Sequence, residues 1–218
     1  MQTLTEKVFN LAPPGGFFNA TTFATLFPDC SSGARIQLVN RACRAGEIVR
    51  LRPGAFLLAR PYRKSELHPF VLAGLLHSPS HVSMESALAF HGLIPEAVWQ
   101  VVSVTPSRSR EFSTPAGVFS FRRVPASQPF AGVESLEVAP QNWAFVATPL
   151  RALADVLYFR REITWKRDGI DFLTESLRIE EDDLGSLRFE QLDEISDSLA
   201  NRRVSNYLEN LKIHFHHD

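Results

Sequence analysis

Apolar residues recur at helical spacing in the first stretch of this chain and at strand spacing further on. Leu4, Val8 and Leu11 make one stripe of a first helix over 4–11. Pro13-Pro14-Gly15-Gly16 ends it. Phe17-Phe18 predicts a short strand, and Asn19 or Thr21 caps a second helix over about 21–26 that buries Phe23, Leu26 and Phe27. Pro28-Asp29 opens a turn, and Ser31 or Ser32 caps a third helix. On a wheel of about 100° per residue, Gly33, Gln37, Asn40, Arg41 and Arg44 share one sector of this third helix. Ile36, Leu38, Val39, Ala42, Cys43 and Ala45 fill the opposite arc and are expected in a core. Arg35 sits on the apolar side, near enough to the helix start to project outward. Gly46 stops the helix. Two strands, 47–52 and 55–59, then flank Pro53-Gly54, where proline pre-sets φ and glycine accepts a positive one.

Beyond Arg60-Pro61-Tyr62-Arg63-Lys64, which reads as a linker, the pattern alternates. A helix over 68–76 tolerates Pro69 in its first turn. An extended piece over 78–82 leads into a helix capped by Ser83 and stopped by Gly92. The segment 98–105 (VWQVVSVT) is β-branched and alternating, and 117–124 (GVFSFRRV) is a second strand. Strands over 136–138 and 143–147 follow. Thr148-Pro149 then opens a helix over 150–159, with Leu150, Leu153, Ala154, Leu157 and Tyr158 as its buried stripe. The tail, 169–215, predicts two or three helices with acidic outer faces. The expected class is α+β: an N-terminal winged helix-turn-helix over 1–62, then a mixed α+β domain over 63–218 with a helical acidic tail from about 166.

Charge sharpens this picture. The 218 residues carry a net charge of only −1. Yet 31–64 holds eight basic residues (Arg35, Arg41, Arg44, Arg50, Arg52, Arg60, Arg63, Lys64) against the single acid Glu47, a net of +7. The segment 168–197 holds eleven acids against Arg178 and Arg188, a net of −9. A basic block on a helix and hairpin suggests a polyanion partner, and the acidic segment reads as a solvated helix face. Gln and Asn can bond adenine twice, Arg can bond guanine twice, and further cations hold phosphates. The candidate DNA contacts are therefore Ser32, Arg35, Gln37, Asn40, Arg41 and Arg44 on the helix and Arg50 and Arg52 on the hairpin. Arg108, Arg110, Arg122 and Arg123 form a second basic cluster next to the two strongest strands, with Arg108 and Arg110 as a second candidate phosphate contact; a solvated loop beside a charge-protected edge strand explains the cluster equally well.

Other chemistry finds little support. Cys30 and Cys43 form neither a disulfide framework nor a zinc cluster. His68, His77, His81 and His91 lack a helical i, i+4 pair, and His214, His216 and His217 lie at the end of the chain. No Gly-x-x-x-x-Gly-Lys or Gly-x-Ser-x-Gly occurs, and no Asp/Glu-x-Lys marks a nuclease strand near Glu134 and Glu137. Asp155 reads as a helix-face carboxylate pairing Arg151. No catalytic residue, metal or cofactor is expected. No apolar run approaches a membrane span, and the opening MQTLTEKVFN lacks the basic start and apolar core of a signal peptide, so cytoplasm is the expected compartment.

The helix-plus-hairpin block 31–59, SHVSMESALAFHGLIPE (80–96), VVSVTP (101–106), the Arg108/Arg110 pair, GVFSFRRV (117–124) and AFVATPLRALADVLY (144–158), in that order, resemble the AbiEi-type antitoxin family of type IV toxin–antitoxin systems. The resemblance implies a phage-defence antitoxin, monomer or weak dimer, that represses its own operon through the winged helix. It implies double-stranded promoter DNA as one partner and a nucleotidyltransferase-type toxin as the antagonist. A protein-interaction module, or a solitary transcriptional regulator of the same build, stands as the alternative.

Overall fold

The computed structural model describes residues 3–95 and 99–216 and is a mixed α+β structure built on two sheets. Helix α1 (Leu4–Leu11) starts at a capping box in which Thr3 and Glu6 satisfy each other's backbone N–H groups. A 3-10 turn at Pro14–Gly16 delivers strand β1 (Phe17–Asn19). Asn19 caps α2 (Ala20–Leu26), and Ser31 caps α3 (Ser32–Arg44) by accepting from the Ala34 N–H. Strands β2 (Ile48–Arg52) and β3 (Ala55–Leu58) then form a hairpin turning at Pro53-Gly54, where Gly54 takes φ +78°. The three strands make an antiparallel sheet in the order β1-β3-β2. Leu4, Val8, Phe18, Phe23, Val39, Ile48 and Phe56 close the core between these helices and one face of the sheet.

Three positions expected inside lie outside. Leu11 is exposed, and so are Ala45 and Ile36, the last at 60 %. The buried arc of α3 is narrow: it packs chiefly on α1 and β2 and centres on Val39 and Ala42. Ile36 falls past its edge. Arg35 lies on that edge and is half-buried instead of projecting.

The stretch read as a linker is held down. Arg60–Tyr62 is a 3-10 turn, and the Arg63 guanidinium donates to the Leu58 carbonyl at 2.6 Å and pairs with Glu66 at 3.0 Å. Helix α4 (Pro69–Leu76) follows, with His68 as its cap. Strand β4 (His81–Val82), helix α5 (Met84–Phe90) and strands β5 (Gln100–Thr105), β6 (Arg110–Thr114), β7 (Gly117–Arg123), β8 (Val133–Ala139) and β9 (Asn142–Ala147) build a six-stranded sheet ordered β6-β7-β5-β4-β9-β8. The β5–β7 and β4–β9 pairs are parallel and the others antiparallel. Position 98, expected in a strand, lies outside the described residues. Strand β6 occupies a segment that carried no strand pattern, because Arg110, Glu111 and Ser113 face solvent on this sheet edge.

Helix α6 (Pro149–Phe159) is buried on every side from Leu150 to Leu157. Short α7 (Trp165–Asp168), a π-helical turn at Phe172–Ser176, α8 (Glu181–Gly185), α9 (Leu192–Leu199) and α10 (Arg202–Phe215) complete the chain. Ile195, Leu199, Val204, Tyr207, Leu208 and Leu211 of the last two helices join the same core as α6. The acids of this region stay mostly exposed.

The two sheets share a third apolar cluster. Leu51, Ala55 and Leu57 of the hairpin pack on Leu72, Ala73 and Leu76 of α4 and on Phe119 and Phe121 of β7. Among the described residues no helix is long and apolar enough to cross a membrane.

Candidate nucleic-acid interface

Helix α3 presents its polar sector outward because Val39 and Ala42 fix the opposite arc in the core. Ser32, Gln37, Arg41 and Arg44 are exposed, and the side chains of Gln37, Arg41 and Arg44 make no hydrogen bond or ion pair with another described residue. Their donors and acceptors are thus available to an outside partner. Arg41 and Arg44 also stand in the last turn of the helix, where a cation meets the negative end of the helix dipole.

Asn40 and Arg50 are engaged with each other. Arg50 Nη2 donates to Asn40 Oδ1 at 2.7 Å, and the guanidinium lies 5.7 Å from the Phe56 ring centre. This bond clasps the hairpin to the helix. It leaves the Asn40 amide N–H₂ free to donate and gives Arg50 a fixed direction. Between α2, α3 and the hairpin runs a groove of about 460 Å³, lined in part by Phe23, Ser32, Arg35, Ile36 and Arg50. The Ala20 N–H donates to the Gly54 carbonyl at 2.9 Å, so the hairpin turn is anchored to the start of α2. Arg35 stands in the groove wall with its Nε buried and without a protein partner among the described residues.

The other three candidates gather at the seam of the two sheets. Arg52 Nε donates to the Leu76 carbonyl at 2.9 Å and its Nη1 to the Pro53 carbonyl at 3.1 Å. Its guanidinium also lies 5.7 Å from the Phe112 ring centre. A guanidinium held this way is an internal brace, which its place on the hairpin did not suggest. Arg108 and Arg110 are exposed at the start of β6. All three lie close enough to His77 to act on it. Burial is the main reason its pKa falls below 6.5, a bond to the Arg108 backbone opposes the fall, and the charges of Arg110 and Arg52 add to it. The ten candidates therefore form two groups: the α3 sector with Arg50, and a cationic cluster on the β2–β6 side.

One polar network was legible only in part: Asp155 pairs with Arg151 as the sequence suggests, but inside the core and not on a helix face. Arg151 and Asp155 of α6 are both 0 % exposed. Arg151 Nε lies 3.1 Å from each Asp155 oxygen, its Nη1 donates to the Ala131 carbonyl at 2.6 Å, and Ser83 Oγ donates to Asp155 Oδ2 at 2.7 Å. Ser83 spends its hydroxyl here and does not cap α5. Burial pushes the Asp155 carboxyl up, but the Arg151 charge, with His81 and Ser83, outweighs it and holds the pKa below 3.8. His81 Nε2 stands 3.6 Å from Asp155 Oδ2, beyond hydrogen-bond distance. Burial dominates there and lowers the His81 pKa below 6.5 despite the carboxylate. The result is an ionised pair beside a neutral imidazole. Ser83 donates to this carboxylate and not to His81. Among the described residues no three His, Cys, Asp or Glu side chains come together to hold a metal ion.

No protein-family model matches this chain, and no curated protein matches it either.

Proposed function

We propose that this chain is a sequence-specific, non-enzymatic DNA-binding transcriptional regulator whose N-terminal region is a winged helix-turn-helix. Helix α3 enters the major groove, and the β2–β3 hairpin is the wing. The element order α1-β1-α2-α3-β2-β3 with β3 in the middle of the sheet supports this reading. The observation that carries it is the free Gln37–Arg41–Arg44 edge beside the clasped Asn40–Arg50 pair. Gln37 and Arg41 can read base edges, and Arg44 and Arg50 meet phosphates. Exposed Ile36 offers an apolar surface of the kind that meets thymine methyl groups. Arg108 and Arg110 supply a second phosphate contact on flanking DNA.

The biological role we infer is that of an AbiEi-type antitoxin, acting in the cytoplasm as a monomer or weak dimer. It represses its own operon and opposes a nucleotidyltransferase-type toxin. The test is a gel shift with the promoter region upstream of the gene against random DNA, at two salt concentrations. Preference for the promoter, reduced by Gln37→Ala or Arg41→Ala, supports the reading. Equal affinity for both DNAs overturns it. Relief of toxicity on co-expression with a neighbouring nucleotidyltransferase gene tests the antitoxin role.

A further inference from the structure

A cavity of about 220 Å³ lies between α4 and strands β4, β5 and β9, away from α3. Its rim is aromatic. Phe70 comes from α4, Trp143 and Phe145 from β9, and Phe130 from the segment before β8. Trp143 is 59 % exposed and Phe145 and Phe130 are exposed too, an unusual share of large rings left to solvent. The Phe130 ring centre lies 5.3 Å from that of Phe145 and 5.8 Å from that of His81.

The deeper lining is different. His81 is 2 % exposed and Ser103 is 0 % exposed. Both nitrogens of His81 and the Ser103 hydroxyl lack a protein hydrogen-bond partner among the described residues. Buried polar atoms are rarely left so. Among the described residues no Lys, Arg, Asp or Glu lines the cavity. The nearby Asp155 charge is matched by Arg151, and His81 is neutral. Aromatic walls closing on a few convergent polar groups are the usual makeup of a small-molecule site. A neutral imidazole offers one donor and one acceptor, and a hydroxyl offers both.

We propose that this cavity binds a small, neutral, planar heteroaromatic molecule of nucleobase type, stacked on the Phe130–Phe145–Trp143 rim and hydrogen-bonded to Ser103 and His81. Flat rings match the rim. A ring edge with adjacent donor and acceptor matches the floor. A phosphate or carboxylate finds no cation there. This site goes beyond the DNA-binding reading and does not depend on it.

Calorimetry and saturation-transfer NMR of the full chain with adenine and with cytosine test the proposal, with indole as a ring that offers no acceptor. At least one base binds one-to-one and more tightly than indole. Phe145→Ala and Ser103→Ala each weaken that binding by at least about tenfold. Ser103→Ala leaves the unfolding midpoint unchanged or raised, because the hydroxyl it removes has no protein partner. The proposal fails if neither base binds at millimolar concentration, which would leave the cavity to water alone. It fails equally if both variants bind as the parent does, or if indole binds as tightly as the bases.

Discussion

Helices α3 and α6 both carry arginines, and the two regions use them in opposite ways. On α3, Arg41 and Arg44 stand in solvent with no protein partner among the described residues, while on α6 Arg151 is sealed inside with Asp155. Spacing does not separate the cases. The neighbours around the wheel do. Around Arg41 lie Gly33, Gln37, Asn40 and Arg44, whereas Arg151 and Asp155 interrupt a run of Leu, Ala and Val that is apolar on all sides. A helix apolar all round goes to the interior and takes its charges with it. There, an ion pair holds elements together only while both members remain.

Removing one member of the buried pair is the strongest way to break this comparison. Asp155→Ala strands the Arg151 charge and should cost about 3–5 kcal/mol, seen as a large drop in the urea midpoint. Replacing both, Arg151→Met with Asp155→Leu, should recover most of that loss. If Asp155→Ala unfolds at the parent's midpoint, the pair is not what the geometry indicates.

On the other side of the comparison, Gln37→Ala or Arg41→Ala should cost about 1–3 kcal/mol of preference for promoter DNA over random DNA. Neither should change stability by more than about 0.5 kcal/mol, because both side chains are exposed and unpartnered. Gel shifts and denaturation on the same samples check the two halves together.

Arg52 sharpens the contrast, since it lies on the hairpin yet is braced inward. Arg52→Ala should cost about 1.5 kcal/mol of stability through the lost charged bond to Leu76 and leave the salt dependence of DNA binding as it was. Arg44→Ala should do the reverse, lowering the slope of log affinity against log salt by about one. A slope change for Arg52→Ala would return it to the phosphate contacts.

The smallest effect concerns pH. Burial holds His81 below 6.5. The folded state therefore binds fewer protons than the unfolded chain once pH falls under that value. Stability is full above 6.5 and declines below it, by up to about 1.4 kcal/mol per pH unit from this residue. His68 and His77 are shifted in the same direction and add to the fall. His81→Gln should flatten the profile of urea midpoints against pH.

Much of the first region was legible because its signals are local. The Ser31 cap, the outward sector of α3 and the Pro53-Gly54 turn each depend on residues a few positions apart. What was hidden depends on distant partners. Arg52 meets a carbonyl 24 residues along the chain, and Ser83 meets a carboxylate 72 residues away. Ile36 is apolar yet exposed because the core beneath α3 is narrow, which no wheel reveals. Strand β6 is specified by its pairing with β7, not by alternation of its own. His81 and Ser103 gave no motif because only the fold sets them beside the same cavity.

The seam of Leu51, Ala55 and Leu57 against α4 and β7 has a practical consequence. Cutting the chain after the hairpin would lay an oily strip bare along one face of the three-stranded sheet. A fragment ending there would tend to clump, and its behaviour in a binding assay would report that strip as much as α3. The hairpin and α4 are better treated as one shared wall than as the ends of two separable parts.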